Sequence, residues 1–261
     1  MALQHNSVDD CRQILADADV EQLPGLIRRY RKDERSGVQS AVDAAKRRLK
    51  THQAEERRLD ALCELENSLR AAGYTAVAGI DEVGRGALAG PLTAGAVIFG
   101  PGVRIRYLND SKLLTPQQRE TLAEEIKSIA ISWHVAHVSA DVLDSLGMTA
   151  ALRRAMHAAI AGLTPAPDHV VIDGSPMHLG MSETSVIKGD SKVAAIAAAS
   201  VIAKVTRDAL MRDFETVYPG YDFAGNKGYG TTDHQAAIGR LGLCDIHRRS
   251  FSPCGGTLPL F

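Results

Sequence analysis

The sequence predicts an α/β protein with a mixed sheet, carried behind a purely helical N-terminal stretch. Three observations lead there. Residues 1–72 contain a single proline, Pro24, and few β-branched runs, so they read as helices. From Gly73 onward, short apolar runs of strand length alternate with helical patterns, the arrangement that builds helices against a sheet. The composition, 45% hydrophobic and 23% charged, is that of a globular chain with enough apolar material for a core.

The elements follow in order. Ser7 with Asp10 has the spacing of a capping box, and Val8, Cys11, Ile14 and Leu15 then recur at helical period. A second helix covers Gln22–Tyr30, and a third, long one runs Val38–Ala71 on Val42, Leu49, Leu59, Leu62, Leu65 and Leu69. Tyr74–Ile80 is a strand, and Leu92–Phe99 a second one after the turn-rich Gly84–Pro91. Thr115 caps a helix over Pro116–Ala130 that has proline at its first position. Ile131–Val138 is a strand, Thr149–Gly162 a helix, and His169–Ile172 and Thr184–Ile187 complete a five-stranded set. Ser191–Arg207 is an Ala-rich helix that extends to about Val217, and Thr231–Leu241 is the last. The expected division is therefore a helical extension 1–72, a catalytic-type domain 73–252 with C-terminal helices, and a flexible tail 253–261.

Charge and cysteine use exclude several classes. Lys+Arg number 30 and Asp+Glu 31, so no basic coat surrounds the chain and nucleic-acid binding would need a local patch. One stretch qualifies: residues 28–58 hold eleven basic side chains against five acidic, which reads either as a solvated helix face or as a phosphate-facing patch. The longest nearly apolar run, Val193–Ala203, is too short to cross a membrane. Cys11, Cys63, Cys244 and Cys254 form no CxxC pair, and no signal segment opens the chain; the expectation is a cytoplasmic monomer.

The chemistry lies in the carboxylates. Asp81 and Glu82 follow the apolar strand Ala76–Ile80, Asp173 follows Val170–Ile172, and Asp190 follows Thr184–Ile187. Carboxylates at three strand ends converge if the strands are neighbours. An all-oxygen set suits Mg²⁺ or Mn²⁺ rather than zinc, and two such ions promote phosphodiester hydrolysis. In that scheme Asp81 serves both ions, Glu82 and Asp173 complete one site, and Asp190 the other. Taken singly, Asp190 also reads as a helix N-cap and any one aspartate as a turn residue. The glycines Gly84, Gly86 and Gly90 invite a dinucleotide-binding reading, but Asp81 and Glu82 would repel a pyrophosphate and the loop leads through Pro91 into a strand. A loop whose backbone approaches a sugar closely, with Arg85 projecting, fits better.

The segment AGIDEVGRGALAGP at 78–91 resembles the signature of the bacterial ribonuclease HII family. NDSK at 109–112, VVIDG at 170–174, KGD at 188–190, AAASVIAKVTRD at 197–208, KGYG at 227–230 and IHRRSF at 246–251 continue the resemblance in order, and DERSGVQ at 33–39 is similar to a helical extension some members carry. The resemblance implies an RNase H-like fold: a five-stranded mixed sheet flanked by helices, with extra C-terminal helices. It implies cleavage of RNA in RNA–DNA hybrids and on the 5′ side of single ribonucleotides in duplex DNA, with two Mg²⁺ or Mn²⁺ ions, leaving 3′-hydroxyl and 5′-phosphate ends. Carried over by position, the catalytic and metal-binding residues are Asp81, Glu82, Asp173 and Asp190. The ribose 2′-hydroxyl is read by Gly84, Arg85, Gly86 and Tyr229, whose ring stacks beyond the ribonucleotide, and Asn109, Ser111 and Lys112 contact phosphate. Asp110 and Asp208 read as structural, Asp208 pairing Arg207 or Arg212. A different RNase H-like enzyme, of resolvase or transposase type, and a non-catalytic binder are the competing readings.

Smaller features carry weaker expectations. His134 and His137 are structural, Trp133 belongs to the core, and Tyr218 and Tyr221 pack. His234 either reaches a phosphate or is a polar residue at a helix start. His247 with Arg248 and Arg249 either forms a basic rim or closes the C-terminal segment. Beyond Gly256, Leu258, Leu260 and Phe261 resemble the short peptide by which bacterial repair proteins dock on the DNA sliding clamp, with Thr257 in the place of the glutamine; folding back onto the enzyme's own surface is the alternative.

Overall fold

A mixed sheet organises the larger part of the chain. The computed structural model describes residues 6–255. Strands β1 (Val77–Val83), β2 (Leu92–Ile98), β3 (Ser132–Val138), β4 (His169–Asp173) and β5 (Glu183–Val186) lie in the order β3-β2-β1-β4-β5. β2 pairs antiparallel with β1 and β3, while β4 runs parallel to β1 and β5 parallel to β4. The central strand β1 and its parallel neighbour β4 thus end on the same side of the sheet, which is where their carboxylates emerge.

Helices cover both faces. They are α4 (Pro116–Ile129), α5 (Ala140–Leu146), α6 (Met148–Ala161), α7 (Ala194–Val217), α8 (Phe223–Asn226) and α9 (Thr232–Leu241). The Ala-rich helix α7 crosses one face of the sheet at close range, because β1 and β2 offer glycines there. A Cβ at Gly79 would overlap the Ala195–Ile196 backbone, and one at Gly95 would press on Ala199 O. Strand side chains alternate in direction, so Asp81 shares the α7 face with Val77 and Gly79. The opposite face buries Ala78, Ile80, Val170 and Ile172 against Ala155, Met156 and Ala159 of α6.

Several local expectations change for physical reasons. β1 begins at Val77 rather than Tyr74, because Asp168 takes the N–H groups of Thr75 (2.7 Å) and Ala76 (3.0 Å) out of the ladder. Asp190 does not cap the Ala-rich helix: it sits in a 3₁₀ turn, Gly189–Ser191, and α7 starts only at Ala194 with Val193 as its N-cap. Trp133 is 39% exposed under Lys127 rather than in the core. Asp208 pairs with Lys204 at 2.8 Å, one turn back, and not with Arg207 or Arg212.

The chain divides into two compact units at Asp60/Ala61. In the first, α1 (Val8–Asp17), α2 (Leu23–Tyr30) and the start of α3 (Ser36–Ala71) bury Cys11, Leu15, Leu23, Val38 and Val42. Ser7 and Asp10 close the capping box, and Arg48 donates to the carbonyls of Leu15, Ala16 and Ala18 at the end of α1. Arg35 pairs with Asp33, Lys46 with Asp43 and Arg58 with Glu55, so part of the basic excess of 28–58 is spent within this unit. In the second unit the last turns of α3 bring Leu65 and Leu69 against Val77, Val171, Val193 and Ile196. Glu66 is buried there, and the backbone of Ala195 in the uncapped first turn of α7 hydrogen-bonds to its carboxylate. Leu258, Leu260 and Phe261 lie outside the described residues.

Candidate active site

The parallel pairing of β1 with β4 sets Ile80 beside Ile172, so Asp81 and Asp173 leave adjacent strands side by side, both on the α7 face. Asp81 is 5% exposed. Burial first, then the charge of Glu82, pushes its carboxyl up to about 8, against relief from a hydrogen bond with Ser200 of α7. Its Oδ1 also accepts the Glu82 N–H at 2.7 Å. Burial likewise raises Glu82; Arg85, 3.8 Å away, and Lys112 offset part of this.

Asp190 arrives from the other side. Lys188 adopts a left-handed conformation (φ 57) that turns the chain after β5, and Gly189 N–H donates to Asp173 Oδ1 at 2.6 Å. Asp190 is buried, and burial followed by Asp110 and Asp173 raises its carboxyl, against the pull of Lys112. Lys112 stands 3.6 Å from Asp190 Oδ2 and 3.9 Å from Asp110 Oδ1. Burial lowers its ammonium's proton affinity, but Asp110, Asp190, Asp81 and Asp173 outweigh that and leave it raised.

The four carboxylates anticipated from the sequence are thus gathered at one sheet edge. Among the described residues, however, no three carboxylate, histidine or cysteine side chains are placed so that they hold an ion as they stand. Asp81 Oδ1 and Asp173 Oδ1 both face backbone N–H groups instead. The donor set still fits a hard divalent cation. It is all oxygen, its acids are buried (Asp81, Asp190) or half-buried (Glu82, Asp173) and mutually repelling, and the ammonium of Lys112 already stands where positive charge is wanted.

The expected substrate contacts divide. Gly84 (φ +86) makes the turn, Arg85 projects into solvent, and the space above Gly86 is open where a Cβ would be. Tyr229 is half-buried and bridges to Ala87 of the same loop. Ser111 faces inward: it is 4% exposed and its Oγ lies 2.9 Å from Ser200 Oγ, which links it to Asp81 rather than to solvent. Asn109 Oδ1 accepts the Asp110 N–H, and Lys112 is largely exposed. Sequence reasoning missed the proximity of Asp110 to Asp190. Asp110 does cap the short turn Ser111–Leu113, as a structural residue would, but its position two residues before Lys112 was the available signal.

His234, His247 and Arg248 are fully or almost fully buried, so neither a phosphate contact by His234 nor a basic rim including His247 and Arg248 forms. His234 Nδ1 donates to the Tyr229 carbonyl at 2.9 Å, since a carbonyl only accepts. Its Nε2 therefore accepts from His247 Nε2 at 3.1 Å, and His247 Nδ1 accepts the Cys244 N–H at 3.0 Å. Both rings are neutral in this arrangement, and burial holds both below the usual histidine range, His247 at about 4. A depressed folded-state value stabilises above the unfolded value and is lost as pH falls through the folded one. Stability should therefore drop between about pH 6.5 and 4 by on the order of 2 kcal/mol. Thermal melts across that range should show a flatter profile for His247→Gln than for the wild type; parallel profiles would contradict the assignment.

Comparisons with known proteins complete the picture. The family model described as Ribonuclease HII matches residues 78–254, and that described as Ribonuclease HII N-terminal domain matches 7–70. The ribonuclease HII of Listeria monocytogenes serotype 4b is 42% identical over 248 residues, 95% of each chain. The crystal structure of the ribonuclease H2 from Pyrococcus horikoshii OT3 is similar with a TM-score of 0.58 and 25% identity, over 69% of this chain and 95% of that one. The Archaeoglobus fulgidus RNase HII in its complex with PCNA aligns with a TM-score of 0.57 and 27% identity, over 66% and 93%. By its sheet and its helices the protein has the RNase H fold. The chain belongs to the ribonuclease HII family, and is with that a ribonuclease H, a metal-dependent endonuclease. Among the described residues, no helix is long and apolar enough to cross a membrane.

Proposed function

We propose that this protein hydrolyses the RNA strand of RNA–DNA hybrids and cuts on the 5′ side of a single ribonucleotide embedded in duplex DNA, leaving 3′-hydroxyl and 5′-phosphate ends. The observation that carries the reading is the gathering of Asp81, Glu82, Asp173 and Asp190 at one sheet edge, next in sequence to an open glycine turn. Those four side chains would hold two Mg²⁺ or Mn²⁺ ions, with Asp81 common to both. Bound there, such ions supply Lewis-acid activation of water and charge stabilisation at the leaving oxygen.

The chain's own residues do the selecting. The open surface at Gly86 lets a sugar approach the backbone, and Arg85 beside it offers donors to a ribose hydroxyl or its phosphate. Tyr229, tied to Ala87, would stack on the deoxyribose that follows the ribonucleotide. Lys112, with its head exposed beside Asp190, would meet the phosphate next to the cut. The test is a DNA duplex with one ribonucleotide, incubated with Mg²⁺ or Mn²⁺ and mapped for the cut. A single cut 5′ of the ribonucleotide is expected. No cut, or cuts at random deoxynucleotides, would overturn the reading.

The tail adds a partner to this proposal. Leu258, Leu260 and Phe261 would dock on the DNA sliding clamp after the Gly255-Gly256 joint. The Archaeoglobus relative, solved as a complex with PCNA, supports the idea of such a partner. A variant ending at Gly256 should lose measurable binding to the clamp of the same organism while cutting as before. Equal binding by the two proteins would remove the clamp from the account.

A further inference from the structure

Among the described residues two arginines are wholly buried, and all but one of the carbonyls they grip belong to the loop proposed to read the sugar. Arg248 Nε and Nη2 donate to Gly90 O at 3.1 and 3.0 Å, and its Nη1 donates to Arg85 O at 3.0 Å. Arg207, 0% exposed, does something different: its three nitrogens hold two separate segments. Nε donates to Pro91 O at 2.9 Å and Nη2 to Ala89 O at 3.1 Å, both in the glycine loop. Nη1 donates to Lys227 O at 2.8 Å, two residues before Tyr229. The same guanidinium lies 5.5 Å from the centre of the Tyr229 ring.

The packing is tight where it meets the glycine loop. A Cβ at Gly84 would overlap Arg207 Nε, and one at Gly228 would overlap Ala89 O. Asp208, the adjacent acid, is engaged by Lys204 instead. A buried cation compensated by carbonyls and an aromatic face is an expensive way to stabilise a core. It is an effective way to fix a distance, because a planar fork donates in set directions and a lysine ammonium does not.

We infer that Arg207 is the positioning residue that sets the spacing between the Gly84–Gly86 turn and Tyr229, and so determines how strongly the enzyme prefers a single ribonucleotide in DNA over a continuous RNA–DNA hybrid. The inference rests on the proposed role of Tyr229. An embedded ribonucleotide is followed by deoxyribose, so its recognition needs the sugar-reading turn and the tyrosine ring at a fixed separation. Within a continuous RNA strand no deoxyribose follows the cut, and the ring contributes less.

The test compares kcat/KM on a duplex with one ribonucleotide and on an RNA–DNA hybrid of equal length. Arg207→Lys should lose at least tenfold on the first and less than threefold on the second. In a Tyr229→Ala background it should cause no further loss of preference. Gly228→Ala widens the same gap from the other side without removing the buried charge, and should shift the preference in the same direction. Equal losses on both substrates in these variants, or a full additional loss in the Tyr229→Ala background, would overturn the inference and leave Arg207 a packing residue. Wild-type protein that ignores the single-ribonucleotide duplex would instead sink the proposed function itself.

Discussion

Asp81→Asn should abolish cleavage while leaving duplex binding measurable. Loss of the carboxylate proposed to serve both ions would remove several kcal/mol of charge stabilisation from the reaction, about a thousandfold or more in rate. The same variant should make the protein more robust in the absence of divalent ions. Asp81's carboxyl is raised to about 8 by burial and by Glu82. A raised value contributes stability below the unfolded value of 3.8, and that contribution is lost as pH rises through about 8. The asparagine carries no such dependence. Melts at pH 8 without divalent ions should therefore place the variant above the wild type, and added Mg²⁺ should raise the wild type more. Near-normal cleavage by Asp81→Asn, or equal Mg²⁺ shifts in both proteins, would refute the assignment of the site.

Tyr229→Ala should weaken action on a single-ribonucleotide duplex by about fivefold to 150-fold, the worth of one stacked ring at about 1–3 kcal/mol. Tyr229→Phe should keep most of that and lose part of the discrimination between ribose and deoxyribose. Lys204 and Arg207 approach the ring at 5.7 and 5.5 Å, and a phenylalanine would retain both contacts. Equal rates for the alanine variant and the wild type would show that Tyr229 only packs.

Much of the architecture was legible because its signals are local. The caps at Ser7 and Thr115 sit where sequence reasoning put them, since a side chain that satisfies an N–H three residues on needs no tertiary partner. The five strands and the crossing Ala-rich helix were legible too, because a helix that must pass close over glycines needs small side chains. The short helices Ala140–Leu146 and Phe223–Asn226 escaped, being too brief to show a period. So did the fate of the charges. Arg207 and Arg248 look like solvated surface in any pattern, and only the carbonyls of a distant loop reveal why they are buried. Asp110 looked structural because its capping role is local, whereas Asp190 beside it is eighty residues away in sequence.

The shared helix α3 has a consequence for how the protein is made. Leu65 and Leu69 find one early partner in Val77 and three late ones in Val171, Val193 and Ile196. About 127 residues of chain separate Leu69 from Ile196, so at about 5–20 residues per second the ribosome needs roughly 6–25 seconds to deliver the last of them. The first unit can close on α1 and α2 long before that, since Cys11, Leu15, Val38 and Val42 all emerge early. Birth of the enzyme is therefore staged. The helical head can finish early, whereas the last turns of α3, which belong to the second unit, gain their final cover only when Val193 and Ile196, beyond Asp173 and Asp190, have been synthesised.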